Sequence, residues 1–260
     1  MKYIFRVIAT LLVIAINTVS STAFPEVKTK PKETQKVLLV VTSNNQLGDT
    51  GKNTGYYLSE VTHPYFRLTD AGFSVDIASP KGGKAPMDER SHNLNDSDNK
   101  RFLENPTLVA KLDHTVSLKN INPNEYSAIL FAGGHGTMWD FPDNKIINKI
   151  ASTIYEKGGV VSAVCHGPAA LINIKLSNRK YLVDGKSVTA FTNDEEDAAQ
   201  LTNAMPFLLE TKLIERGAIF KKADLWQKNV VISERLVTGQ NPASARGVGE
   251  AIVNILNDKE

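Results

Sequence analysis

The chain has 260 residues, 30 Lys and Arg against 28 Asp and Glu, and a single cysteine, Cys165. Removal of a leader that carries Lys2 and Arg6 leaves the two charge counts equal, so the remainder has no electrostatic footprint for nucleic acid or an anionic membrane. One cysteine excludes an internal disulfide, and a body on the order of 225 residues suits one large α/β domain.

The first residues read as an export signal. Met1-Lys-Tyr-Ile-Phe-Arg6 gives a basic start, residues 7–16 an apolar core too short to span a bilayer, and Ser21-Thr22-Ala23 a small-residue cleavage site. The pattern predicts a signal peptide over 1–23, a polar lead-in over 24–35 and a folded domain over 36–258. It also predicts a mature chain starting near Phe24, with no membrane attachment after cleavage, in the periplasm or secreted.

Strand and helix signals then alternate. Residues 36–42 form a near-continuous apolar run, as in a parallel strand buried on both faces. A helix follows over 54–69, with a kink or late restart at Pro64, and a strand over 73–78. The charged stretch 79–120 is long enough to be functional or lid-like, with a helix near 100–110. A strand at 126–132, a helix at 144–157 and a strand at 158–164 precede Cys165, and a helix is expected after Gly167-Pro168. Residues 186–191 read as a strand, the acidic run 194–197 as a helix start and 206–216 as a helix. A hairpin over 229–233 and 236–238 precedes a last helix carrying Val248, Ile252 and Ile255. This alternation predicts an α/β fold, a single parallel sheet sandwiched between helices on both faces.

The active crevice of such a sheet lies beyond the carboxyl ends of its strands. Cys165 sits there, on a sharp turn of nucleophile-elbow type, where an adjoining helix N-terminus is expected to lower its pKa. Gly133-Gly134-His135-Gly136 can offer backbone N–H groups; with the N–H of His166 they suit an oxyanion hole. His166 needs a carboxylate to orient it, and Glu195, Glu196 or Asp197 can supply one. Glu60 lies on a helix with core-type neighbours; a carboxyl there must be paired or protonated, and beside a thiol it suits a proton shuttle. The five histidines show no paired zinc spacing, so no metal is expected. No Gly-x-Gly-x-x-Gly follows the first strand, which argues against a dinucleotide. Trp139 and Trp226 are candidates to line a pocket.

Several segments together resemble the PfpI/ThiJ superfamily, and most closely its branch of chaperone-like, glutathione-independent glyoxalases. They are residues 36–43, Thr54-Gly55 with Glu60 and His63-Pro64, Gly134-His-Gly-Thr137, Ala163-Val-Cys-His-Gly-Pro168, residues 182–186, Phe191-Thr192 and residues 238–244. The resemblance covers the whole mature chain in order. It implies a flavodoxin-like fold similar to class I glutamine amidotransferases, no organic cofactor and a homodimer. It also implies that Cys165 is the nucleophile, His166 the triad histidine, Glu60 the carboxylate touching the thiol and Gly134 an oxyanion donor. Spacing from Phe191 favours Glu196 as third triad member, with Glu195 and Asp197 open. The implied reaction converts methylglyoxal or a similar 2-oxoaldehyde to a 2-hydroxy acid. The alternatives are a cysteine peptidase or amidase, and a redox-sensing holdase without turnover. Glutamine amidotransfer is disfavoured, because no histidine follows His166.

Overall fold

A computed structural model describes residues 35–258; the leader over 1–23 and nearly all of the lead-in over 24–35 lie outside the described residues. The strands are β1 (Lys36–Val40), β2 (Ser74–Ser79), β3 (Val116–Ser117), β4 (Tyr126–Phe131), β5 (Val160–Val164), β6 (Ser187–Val188), β7 (Ile219–Phe220), β8 (Val230–Ser233) and β9 (Leu236–Gly239). The α-helices are α1 (Leu58–Asp70), α2 (Ser97–Leu103), α3 (Pro106–Asp113), α4 (Thr137–Asp140), α5 (Lys145–Glu156), α6 (Asn193–Ala198), α7 (Leu209–Glu215) and α8 (Ala245–Asn257).

Seven strands form one sheet in the order β3-β2-β1-β4-β5-β9-β8. Every pair is parallel except the terminal hairpin of β8 with β9. The apolar runs explain why. Val37, Leu39 and Val41 face one core with Leu130 and Val164, covered by α1 and α8; Leu38 and Val40 face the other with Ile129 and Phe131, covered by α5. Both faces are therefore buried, as parallel strands require. The strand order turns back between β1 and β4, which opens a crevice at their carboxyl ends.

The structure departs from the sequence pattern in four places. Helix α1 begins at Leu58 rather than at 54, because residues 55–57 are held extended. The Tyr56 N–H donates to Pro86 O at 2.9 Å and the Tyr57 N–H to Gly133 O at 3.1 Å. The helix then runs through Pro64 to Asp70 without restarting. The single helix expected near 100–110 is two, α2 and α3, because Asn105 caps the second and Pro106 takes its first position. The strand at 186–191 shrinks to β6 and pairs outside the main sheet, with β7. After Cys165 there is a short 3-10 turn, Gly167–Ala170, in place of a helix.

Candidate active site

Cys165 leaves β5 in the left-handed region, at φ 59°. That conformation costs a non-glycine residue about 1–3 kcal/mol and is held by its surroundings. The Cys165 N–H donates to Gly239 O and its C=O accepts from the Phe191 N–H, both at 2.9 Å. Since N–H and C=O of a trans peptide point oppositely, the second bond turns the His166 N–H towards the sulfur, where it hydrogen-bonds the Cys165 side chain.

Glu60 comes from the first turn of α1 and is fully buried. Its Oε2 accepts the Gly133 N–H at 2.8 Å, Oε1 has no hydrogen-bond partner among the described residues, and the carboxyl interacts electrostatically with the Cys165 thiol. Burial pushes the Glu60 carboxyl up to about 8, against the pull of Cys165 and the Gly133 N–H. Burial and the nearby Glu60 charge likewise push the Cys165 thiol up. This reverses the expectation of a lowered thiol pKa. A four-residue 3-10 turn has no substantial dipole to offset burial. The two groups act as a coupled pair in which a negative charge on either raises the other.

A β-carbon at Gly133 would stand 2.6 Å from Glu60 Oε2 and 2.7 Å from His166 N, so only glycine lets β4 end this close to the nucleophile. Gly134 has φ 97°, and a β-carbon there would stand 2.2 Å from Gly55 O. The Tyr57 N–H on Gly133 O turns the Gly134 N–H the other way, towards the pocket that Gly134 lines with Cys165. The Thr137 hydroxyl bridges the carbonyls of Gly134 and His166 at 2.9 and 3.0 Å, which ties the two turns together.

His166 Nδ1 lies 3.3 Å from Cys165 Sγ, and its Nε2 lies 2.7 Å from Glu196 Oε2. Of the three acids left open, Glu196 alone reaches the imidazole. Glu195 is buried and points elsewhere, capping α6 through Thr192 and accepting from the Trp226 N–H, Gln240 and Asn241. Asp197 is exposed.

A second histidine joins the site. His135 Nε2 lies 3.1 Å from Glu196 Oε1, and its ring stacks on His166 with centroids 4.1 Å apart. Phe191 packs against both rings, with centroids 4.4 Å from His166 and 6.0 Å from His135. Although burial opposes it, the two imidazoles hold the Glu196 carboxyl well below the usual carboxylate range. Sequence reasoning used His135 only as part of a glycine turn, and missed Tyr57 and Arg90 altogether. Arg90 belongs to the long 79–120 segment read as functional, and no local pattern ties it to residues 135 or 196. Trp226 does line the pocket, whereas Trp139 packs beside Gly48.

His135, His166 and Glu196 offer ligand-type atoms within 4.8 Å of one another, the set in which a metal would be sought. Arg90 Nη2 lies 3.2 Å from His135 Nδ1. Guanidinium only donates, so Nδ1 accepts and the His135 proton sits on Nε2, the atom a cation would need bare. These residues fit a proton network better than a metal centre.

The crevice is a cavity of about 380 Å³ whose lining combines polar Tyr57, Arg90 and His135 with apolar Phe191, Ala199, Trp226 and Pro242. Cys165 and His166 line it as well.

Comparison with known proteins agrees with this geometry. Residues 53–255 match the model of the DJ-1/PfpI family. Glyoxalase 3 of Candida albicans is 35% identical over 229 residues, covering 84% of this chain and 97% of that one. Glutathione-independent glyoxalase HSP31 of Saccharomyces cerevisiae is 34% identical over 240 residues, covering 86% and 99%. The crystal structure of Rapid Encystment Protein 24 KDa from Francisella tularensis is similar at a TM-score of 0.83 and 43% identity, covering 85% of this chain and 99% of that one.

Proposed function

The chain belongs to the DJ-1/PfpI family, and from that premise we propose that it is a glutathione-independent glyoxalase acting on methylglyoxal or a similar small 2-oxoaldehyde. One observation carries the reading. The Glu60 carboxyl, buried beside the Cys165 sulfur and pushed up to about 8, can take and return a proton near neutral pH.

The aldehyde carbon accepts the Cys165 sulfur, and the thiol proton passes through His166 to the aldehyde oxygen, giving a hemithioacetal. The Gly134 and His166 N–H groups face that oxygen as it gains charge. Glu60, in its ionised form, takes the proton on C1 to give an enediolate. The C1 hydroxyl proton shifts to the C2 oxygen, and Glu60 returns its proton to C2, which leaves a thioester of the 2-hydroxy acid. Water deprotonated by His166 cleaves the C–S bond, releasing the acid and restoring the thiol. No redox partner and no organic cofactor enter this balance. Acyl transfer by a peptidase could use Cys165, His166 and Glu196, but it has no use for a second, protonatable carboxyl against the sulfur.

Purified protein incubated with methylglyoxal and no glutathione should form lactate, and Cys165→Ala should not. Lactate formation that survives Cys165→Ala, or none from the wild type, would sink the assignment. The leader supports export, so we place the mature enzyme outside the cytoplasm.

A further inference from the structure

Glu196 is one carboxylate shared by two stacked imidazoles, so the site must settle which ring receives the proton that Cys165 gives up. The answer lies on the far side of His135. Asp88, almost fully buried, grips Arg90 as a fork: Nε to Oδ1 at 2.9 Å and Nη2 to Oδ2 at 2.6 Å. Asp88 also accepts the Arg90 N–H and the Thr54 hydroxyl, both at 3.0 Å, so the carboxylate that grips the guanidinium is itself fixed. The same Nη2 meets His135 Nδ1 at 3.2 Å.

An arginine has no acceptor and keeps its charge at any working pH. His135 Nδ1 must therefore stay bare, and Nε2 carries the hydrogen donated to Glu196 Oε1. A second proton on His135 would set N–H against N–H and cation against cation. Among the charged groups around the ring, Glu196 favours a proton, while Arg90 and His166 oppose it. Burial is the largest influence, and with His166 and Arg90 it pushes His135 down to about 4.

We propose that His135 is a positioning residue, locked by Arg90 in one neutral tautomer, which clamps Glu196 and leaves His166 as the only ring free to take the Cys165 proton. The chain Asp88, Arg90, His135, Glu196, His166, Cys165 then runs from a half-exposed arginine to the nucleophile. Of these six residues, Cys165 and His166 alone touch the reacting atoms. The lock follows from hydrogen-bond donors and acceptors, whichever carbonyl compound is the substrate.

The first test needs no variant. Imidazole ¹⁵N spectra of the mature protein labelled at its histidines should show His135 neutral, with the hydrogen on Nε2, from pH 5 to 8. A His135 that titrates above pH 6, or that carries its hydrogen on Nδ1, overturns the proposal. In Arg90→Met the ring should gain a second tautomer or titrate within that range; an unchanged His135 spectrum also overturns it.

Kinetics supply the second test. His135→Phe keeps a stacked ring but offers no donor, and should lower kcat by roughly 10–100-fold with KM within about threefold. His135→Gln presents an amide N–H to Glu196 and should recover most of that loss. Equal activity of the two variants would mean that His135 only fills space. The rate of Cys165 alkylation by iodoacetamide, followed against pH, should separate the variants in the same order. That measurement needs no substrate, so it holds whether or not the glyoxalase assignment does.

Discussion

Replacing Glu60 by Gln separates the catalytic use of this carboxyl from its structural cost. The folded chain binds the Glu60 proton up to about pH 8, whereas the same group ordinarily releases it near 4.5. Between those values the native state holds more protons than the unfolded state, so stability falls as pH rises and levels off above about 8. At about 1.4 kcal/mol per pH unit, the cost at pH 7 is about 3 kcal/mol. Gln keeps an oxygen for the Gly133 N–H and has no proton to lose. The variant should match the wild type near pH 4 and gain about 3 kcal/mol at pH 7, roughly 6–12 °C in Tm for a domain of this size. Turnover should move the other way. An amide cannot accept and return a proton, so 2-hydroxy acid formation should fall roughly 10²-fold or more while the hemithioacetal still forms.

Thermal unfolding at pH 5 and pH 8, a lactate assay and mass spectrometry of the adduct read the three effects separately. The thiol gives a fourth. Losing the neighbouring negative charge should bring the Cys165 alkylation midpoint down from its wild-type value, which should lie above the ordinary thiol's ~8.5. Wild-type turnover in Glu60→Gln would refute the shuttle. A variant that is less stable at pH 8 would refute the reasoning about burial, and its lost activity would then report damage rather than chemistry.

The neighbouring acids should divide by role. Glu195→Ala strands buried donors from Thr192, Trp226, Gln240 and Asn241 and should lower stability by at least ~3 kcal/mol in urea titration. Glu196→Gln should cut kcat roughly 10²-fold or more by unseating His166. It should also lower the urea midpoint at neutral pH, because the ionised carboxylate favoured by both imidazoles contributes to folding stability. Gly134→Ala forces a side chain into φ 97° and against Gly55 O; a loss of ~2 kcal/mol or more by thermal unfolding is expected. Intact-mass measurement of the exported protein should find the chain starting near Phe24, and a full-length membrane-bound product would count against the leader.

Most of the sheet was legible because β1, β4 and β5 are apolar runs buried over most of their length, a signal that needs no tertiary context. The weaker elements were those whose backbone partners are distant in sequence. Tyr56 and Tyr57 are tolerated in helices, yet Pro86 and Gly133 hold them extended. Nothing within ten residues of Tyr57 announces that. Residues 189–191 look like strand, but the Thr189 N–H is taken by the Thr238 hydroxyl and the Phe191 N–H by Cys165 O. The segment is spent on shaping the nucleophile's turn instead of extending the sheet.

The same division runs through the site. Cys165, His166, Glu60 and Gly134 stand out because each sits where the local pattern already implies a sharp turn or a buried charge. Spacing from Phe191 favoured Glu196 but left Glu195 and Asp197 open, since all three lie on one short helix and differ only in direction. A Thr192 cap consumes Glu195, solvent takes Asp197, and Glu196 is the one turned into the crevice. His135 and Arg90 were hidden for a related reason. A histidine's hydrogen-bonding role depends on what faces each nitrogen, and here those partners lie 45 residues upstream and 61 residues downstream. The sequence displays the groups that do chemistry, but the residues that set their protonation become visible only when the chain is folded.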